Sequence, residues 1–97
     1  MSITYRPPGT EDLAALKAEL GKSNPEMAEL FGMTPENWRK YTGGKNPRPV
    51  SPHMLFFAMA RLVLPPEDIE RVLARMRKVG AVVDLLETTG EEDSSQD

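Results

Sequence analysis

Seven residues between Thr34 and Arg48 carry the side chains best suited to chemistry: Thr34, Glu36, Asn37, Arg39, Lys40, Lys45 and Arg48. That chemistry is recognition rather than bond-breaking. An Arg or Lys can donate to guanine O6 and N7, an Asn amide can pair with adenine N6 and N7, and a Glu can accept from cytosine N4. Arg39, Lys40, Lys45 and Arg48 face a single acid in this stretch, Glu36, so the local field attracts phosphate. Glu36 has a second use open to it. It falls in the first turn of an expected helix, where a carboxylate offsets the helix dipole.

Nothing comparable points to catalysis. The chain has no cysteine, which excludes disulfides, thiolate chemistry and Cys-ligated zinc. His53 is the one histidine and has no second ligand of its kind, so no metal is expected. Gly44-Lys45 fails as a phosphate loop, because Arg39 stands where the first glycine is needed and Asn46 where Ser or Thr must follow the lysine. No paired carboxylates and no Ser-His or Cys-His arrangement has supporting context. The expectation is a protein without enzymatic activity, cofactor or small-molecule substrate.

The formal charge of −3 is unusual for a nucleic-acid partner, but it is unevenly distributed. Residues 87–97 hold five acids and no base, and the remainder carries 12 basic against 10 acidic residues, a balance of +2. Ninety-seven residues suffice for one domain with a modest core. The longest apolar run, Met54 to Leu64, is interrupted by Arg61 and is too short to span a bilayer. The N-terminus has no apolar leader, so a cytoplasmic location and no membrane contact are expected.

Positioning the seven residues requires helices. Residues 1–9, with Pro-Pro-Gly, read as an irregular arm. Thr10 is a capping residue followed by Glu11 and Asp12, and Leu13, Leu16 and Leu20 recur at helical spacing up to Gly21. Asn24-Pro25-Glu26 repeats the start signal, with Met27, Ala28, Leu30 and Phe31 as a buried face and Gly32 as the stop. Thr34-Pro35-Glu36 starts a third helix that buries Trp38 and Tyr41 and ends before Gly43-Gly44. Residues 45–50 form a proline-rich connector. Ser51-Pro52 caps a fourth helix reaching about Leu64, more apolar than one buried face requires. Pro65-Pro66 then opens a fifth, with Ile69, Val72, Met76, Val79, Val83 and Leu86 in a 3-4 alternation. Gly80 either ends this helix or is tolerated within it. The domain is expected to span 10–87, followed by a disordered acidic tail at 88–97.

Two short helices separated by Gly32-Met33-Thr34 constitute a helix-turn-helix pattern, in which the second helix can lie in a major groove. The stretch Asn24 to Gly43 resembles the lambda-type (Cro-like, XRE-like) helix-turn-helix repressors. Met27 and Phe31 take apolar places of that pattern, Ala28 its small place, Gly32 its turn glycine, Met33 the apolar place after it, and Trp38 and Tyr41 its two buried places in the second helix. Gly44-Lys45-Asn46-Pro47-Arg48-Pro49 is similar to the segment that follows the recognition helix in many of these repressors. Within the group, the short anti-CRISPR-associated repressors of phages are nearest in character, with Phe57-Ala58-Met59-Ala60 as the Phe-Ala-rich following helix. The resemblance covers about residues 11–64. It implies an all-α, lambda-repressor-like five-helix bundle that binds double-stranded DNA as a homodimer and represses transcription. It further implies that Thr34, Glu36, Asn37, Arg39 and Lys40 read bases. Lys22, Ser23, Asn24, Lys45 and Arg48 are read as phosphate contacts, which set register without reading sequence. Pro35 and Asn24 depart from the family's usual polar residue and glutamine, which moves the expected base readout toward Asn37, Arg39 and Lys40. Candidate dimer surfaces are the apolar excess of the fourth helix and the stripe from Ile69 to Leu86. The alternative is a protein-binding module, such as a phage-encoded inhibitor, that keeps the fold without reading DNA.

Overall fold

A computed structural model describes residues 3–84 of the chain. The structure is all-helical, with no strand among the described residues: α1 (Thr10–Leu20), α2 (Asn24–Leu30), α3 (Pro35–Thr42), α4 (Pro52–Val63) and α5 (Pro66–Lys78). The expected acidic tail and Leu86 lie outside the described residues. The chain divides into two compact units, the first ending at Leu62 and the second starting at Val63.

Helix ends follow local chemistry, though not always through the expected residue. Gly9, rather than Thr10, is the N-cap of α1, and its N–H donates to the Asp12 carboxylate at 2.8 Å. At α2 the cap is Ser23, not Asn24. The Glu26 N–H donates to Ser23 Oγ while the Ser23 N–H donates to Glu26 Oε1, a reciprocal capping box. Thr34 caps α3 by accepting from the Asn37 N–H, and Ser51 caps α4 by accepting from the Met54 N–H. Gly21 and Gly32 close α1 and α2 as anticipated, at φ +65° and +73°, a conformation that glycine adopts without the steric cost of a Cβ.

In the first unit, Leu13 of α1, Met27, Ala28 and Leu30 of α2, Phe31, Trp38 of α3, Val50 and Ala58 of α4 form one buried cluster. Trp38 is 1% exposed, and its ring packs at 38° to Phe31 with centroids 5.0 Å apart. Such an aromatic pair contributes about 0.5–1.5 kcal/mol beyond its buried area. Tyr41 is half-buried against the same cluster. The N-terminal arm is tied down by the Tyr5 hydroxyl, which donates to the Val50 carbonyl.

The second unit holds α5, which stops at Lys78. Gly80, at φ +109°, accompanies bonds from the Gly80 N–H to Arg77 O and from the Ala81 N–H to Met76 O. The open question at Gly80 is thus answered as a helix end. The expected 3-4 stripe is cut accordingly. Ile69, Val72 and Met76 are on α5, whereas Val79 and Val83 follow its last turn. Arg77 binds the chain beyond Gly80 through Val83 O and Asp84, and also pairs with Glu70 at 2.8 Å. The Glu70 bond is the main reason its guanidinium is held still more firmly charged than usual.

Candidate nucleic-acid interface

Helix α3 is the element that presents the candidate base-reading residues, and its spacing decides which way each faces. Trp38 points inward, anchored by a bond from its indole N–H to Asn24 Oδ1 at 3.3 Å. At 100° per residue, Glu36 and Lys40 then lie opposite Trp38, with Asn37 and Arg39 on the two flanks. All four are exposed. Glycines 43 and 44 end the helix, with Gly44 at φ +83°, and turn the chain into the connector. The Arg48 N–H donates to Lys40 O at 2.8 Å, so the connector is pinned to the last turn of α3.

Asn24, Glu36, Arg39, Lys40, Thr42, Gly43 and Gly44 line one open groove of about 620 Å³. Seven of the ten residues singled out from sequence are on or beside α3: Asn24, Glu36, Arg39 and Lys40 line the groove, Asn37 is on the helix flank, Thr34 is its cap, and Arg48 is tied to it through its backbone bond. Lys45 is exposed in the connector between Gly44 and Arg48. Among the described residues, none of Arg39, Lys40, Lys45 and Arg48 makes a salt bridge. Glu36 is the one acid lining the groove.

Three residues have internal duties that alter what they can offer a ligand. Thr34 Oγ1 accepts the α3 cap bond from the Asn37 N–H. Ser23 does the same for α2, and the Asn24 side-chain oxygen accepts from Trp38. The Glu26 carboxylate sits at the start of α2 and is held below the usual carboxylate range, chiefly by the Ser23 N–H and then by the Ser23 hydroxyl. Helix α2 thus supplies its own anion at the end where a phosphate was expected. Lys22, of the same expected trio, is half-buried.

Sequence reasoning passed over Arg61, treating it as a break in an apolar run. Its guanidinium donates to Glu29 O at 2.7 Å and Leu30 O at 3.0 Å, the last carbonyls of α2. It also stands 3.6 Å from the Glu29 carboxylate and over the Phe57 ring at 5.5 Å. The same Phe57 ring closes on Gly32, where an added Cβ would sit 3.1 Å from Cε2. So α4 grips the end of α2 and the turn leading into α3. The available signal was an arginine inside an apolar helix, which must find acceptors when half-buried.

Comparison with known protein families, with curated proteins and with solved structures gives no match. No helix among the described residues is long and apolar enough to cross a membrane.

Proposed function

We propose that this chain is a non-enzymatic regulator that binds double-stranded DNA, with α2, its turn and α3 as a lambda-type helix-turn-helix and α3 as the major-groove helix. The supporting observation is the surface built on α3. Asn37, Arg39 and Lys40 face solvent, and the four cations from Arg39 to Arg48 have no acidic salt-bridge partner among the described residues. Arg39, Lys40 and Asn37 supply base contacts, and Glu36 either accepts from cytosine or serves the helix. Lys45 and Arg48 supply phosphate contacts. One α3 reads few bases, so a second copy on an inverted repeat, with half-sites about 34 to 36 Å apart, gives a repressor its specificity.

The test is a salt series on random duplex and on DNA from the chain's own promoter. Affinity should fall steeply with salt through counterion release, with a retained preference for one sequence. Arg39→Ala should remove ~1–3 kcal/mol of that preference, whereas Arg48→Ala should weaken all sequences alike. The alternative, a protein-binding module or inhibitor, draws on the exposed apolar surface of α4, where Phe56 is 76% exposed. Absence of binding to either duplex at low salt would favour that alternative.

A further inference from the structure

Thirteen residues follow Asp84, and they include Glu87, Glu91, Glu92, Asp93 and Asp97 with no Lys or Arg among them. A segment with this charge has one counterpart in the chain. Residues 34–48 carry four bases against Glu36 alone. Residues 1–33 hold three bases against five acids, and residues 66–84 hold four of each. Between them, Arg61 is the one base of residues 49–65 and is committed to the end of α2. On α5, Arg71 is paired with Asp68, and Arg77 with Glu70 and Asp84. Arg39, Lys40, Lys45 and Arg48 have no such partner among the described residues.

We infer that the acidic segment 87–97 occupies the cationic surface of α3 and its connector when duplex is absent, and that duplex must displace it. The displacement rests on the DNA reading of that surface, whereas the contact itself rests on the charges. Carboxylates use the same Arg and Lys donors that a phosphate would, so the two ligands exclude each other. Length permits the contact. Arg77 holds Asp84 at the end of α5. Thirteen residues beyond it reach up to ~43–47 Å when extended, more than the ~30 Å across a small domain. Tethering also supplies an effective concentration on the order of millimolar, so individually weak surface ion pairs suffice. One consequence is diagnostic. Duplex then expels carboxylates in place of some small ions, so the native chain should show a shallower salt dependence than its uncovered surface would.

The test neutralises the segment within the full chain, by Glu87→Gln, Glu91→Gln, Glu92→Gln, Asp93→Asn and Asp97→Asn together. All five follow the last described helix, so the helical circular dichroism spectrum should be unchanged. Backbone amide NMR shifts of the native and neutralised chains, without DNA at low salt, should differ at residues 37–48 and agree along α5. Those differences should vanish near ~1 M salt, where charges are screened beyond ~3 Å. An effective concentration of ~1 mM against a contact Kd of ~0.1 mM implies that the neutralised chain binds random duplex about tenfold tighter. Its salt slope should be steeper by up to ~0.9 for each cation uncovered. Identical shifts at residues 37–48 overturn the inference even where duplex binding tightens, because long-range repulsion then accounts for the gain. Shift differences that grow with protein concentration also overturn it, since the segment then sits on a second copy. An unchanged duplex affinity overturns the displacement. Differences at residues 37–48 without duplex binding by either chain leave the contact standing and refute the DNA reading. Duplex binding by both chains without those differences does the reverse.

Discussion

Arg61→Met isolates the clamp that α4 places on the end of α2. Methionine keeps most of the aliphatic stem but removes the guanidinium of a side chain that is 15% exposed in the native chain. Two hydrogen bonds to Glu29 O and Leu30 O are lost. A hydrogen bond to a charged group contributes ~1.5–3 kcal/mol, and the carbonyls released here regain part of that from water because the neighbouring turn is exposed. The contact over Phe57 adds ~0.5–1 kcal/mol. The ion pair with Glu29 adds little, since that carboxylate is 36% exposed and 3.6 Å away. The expected net loss is about 2–4 kcal/mol, a large share of the ~5–15 kcal/mol that a domain possesses. Trp38 is the single tryptophan and is 1% exposed, so its fluorescence reports unfolding of the first unit specifically. In urea the midpoint should fall with an unchanged slope. Arg61→Lys, which retains a donor without the two-pronged geometry, should fall between native and Met. A Met variant within ~0.5 kcal/mol of native, the range of an ordinary surface substitution, would refute the clamp.

Gly32→Ala should cost roughly 1–3 kcal/mol, combining a positive φ with a Cβ 3.1 Å from Phe57. Gly21→Ala shares the positive φ but has nothing within 4 Å, so the difference between their urea midpoints measures the Phe57 contact alone. Glu26 gives a pH prediction. Its carboxyl is depressed in the folded chain, so its stabilising contribution is fully present above the ordinary value of 4.5 and disappears as pH falls through the lowered one. In acid unfolding followed by Trp38 fluorescence, Glu26→Gln should therefore flatten the dependence in that window. An identical dependence in the variant would remove the capping box from the account.

Much of the helical framework was legible because start and stop signals act over three or four residues. Gly21, Gly32, Thr34-Pro35 and Ser51-Pro52 specify their boundaries through bonds that the local chain makes with itself. The placement of Glu36, Asn37, Arg39 and Lys40 on the exposed side of α3 followed equally from helical spacing around Trp38. The errors at α1 and α2 were one-residue ones, where two adjacent residues could each serve as cap. At α2 the choice fell to Ser23, whose hydroxyl and N–H are both matched by Glu26.

What the sequence determined by itself, then, was an order of short capped helices and a cationic face on the third. Tertiary structure decided the rest, because the deciding partners are remote in the chain. Asn24 meets Trp38 at a separation of 14 residues, Arg61 meets α2 at 31 and 32, and Tyr5 meets Val50 at 45. A side chain's choice among such partners depends on which acceptors packing leaves unsatisfied, which no local pattern records. Gly80 belongs to the same class. A glycine within a helix costs only ~1 kcal/mol, so local preference alone could not settle whether α5 continued. The apolar run in α4 likewise announced burial without direction, and only the folded chain shows Ala58 enclosed and Phe56 facing out.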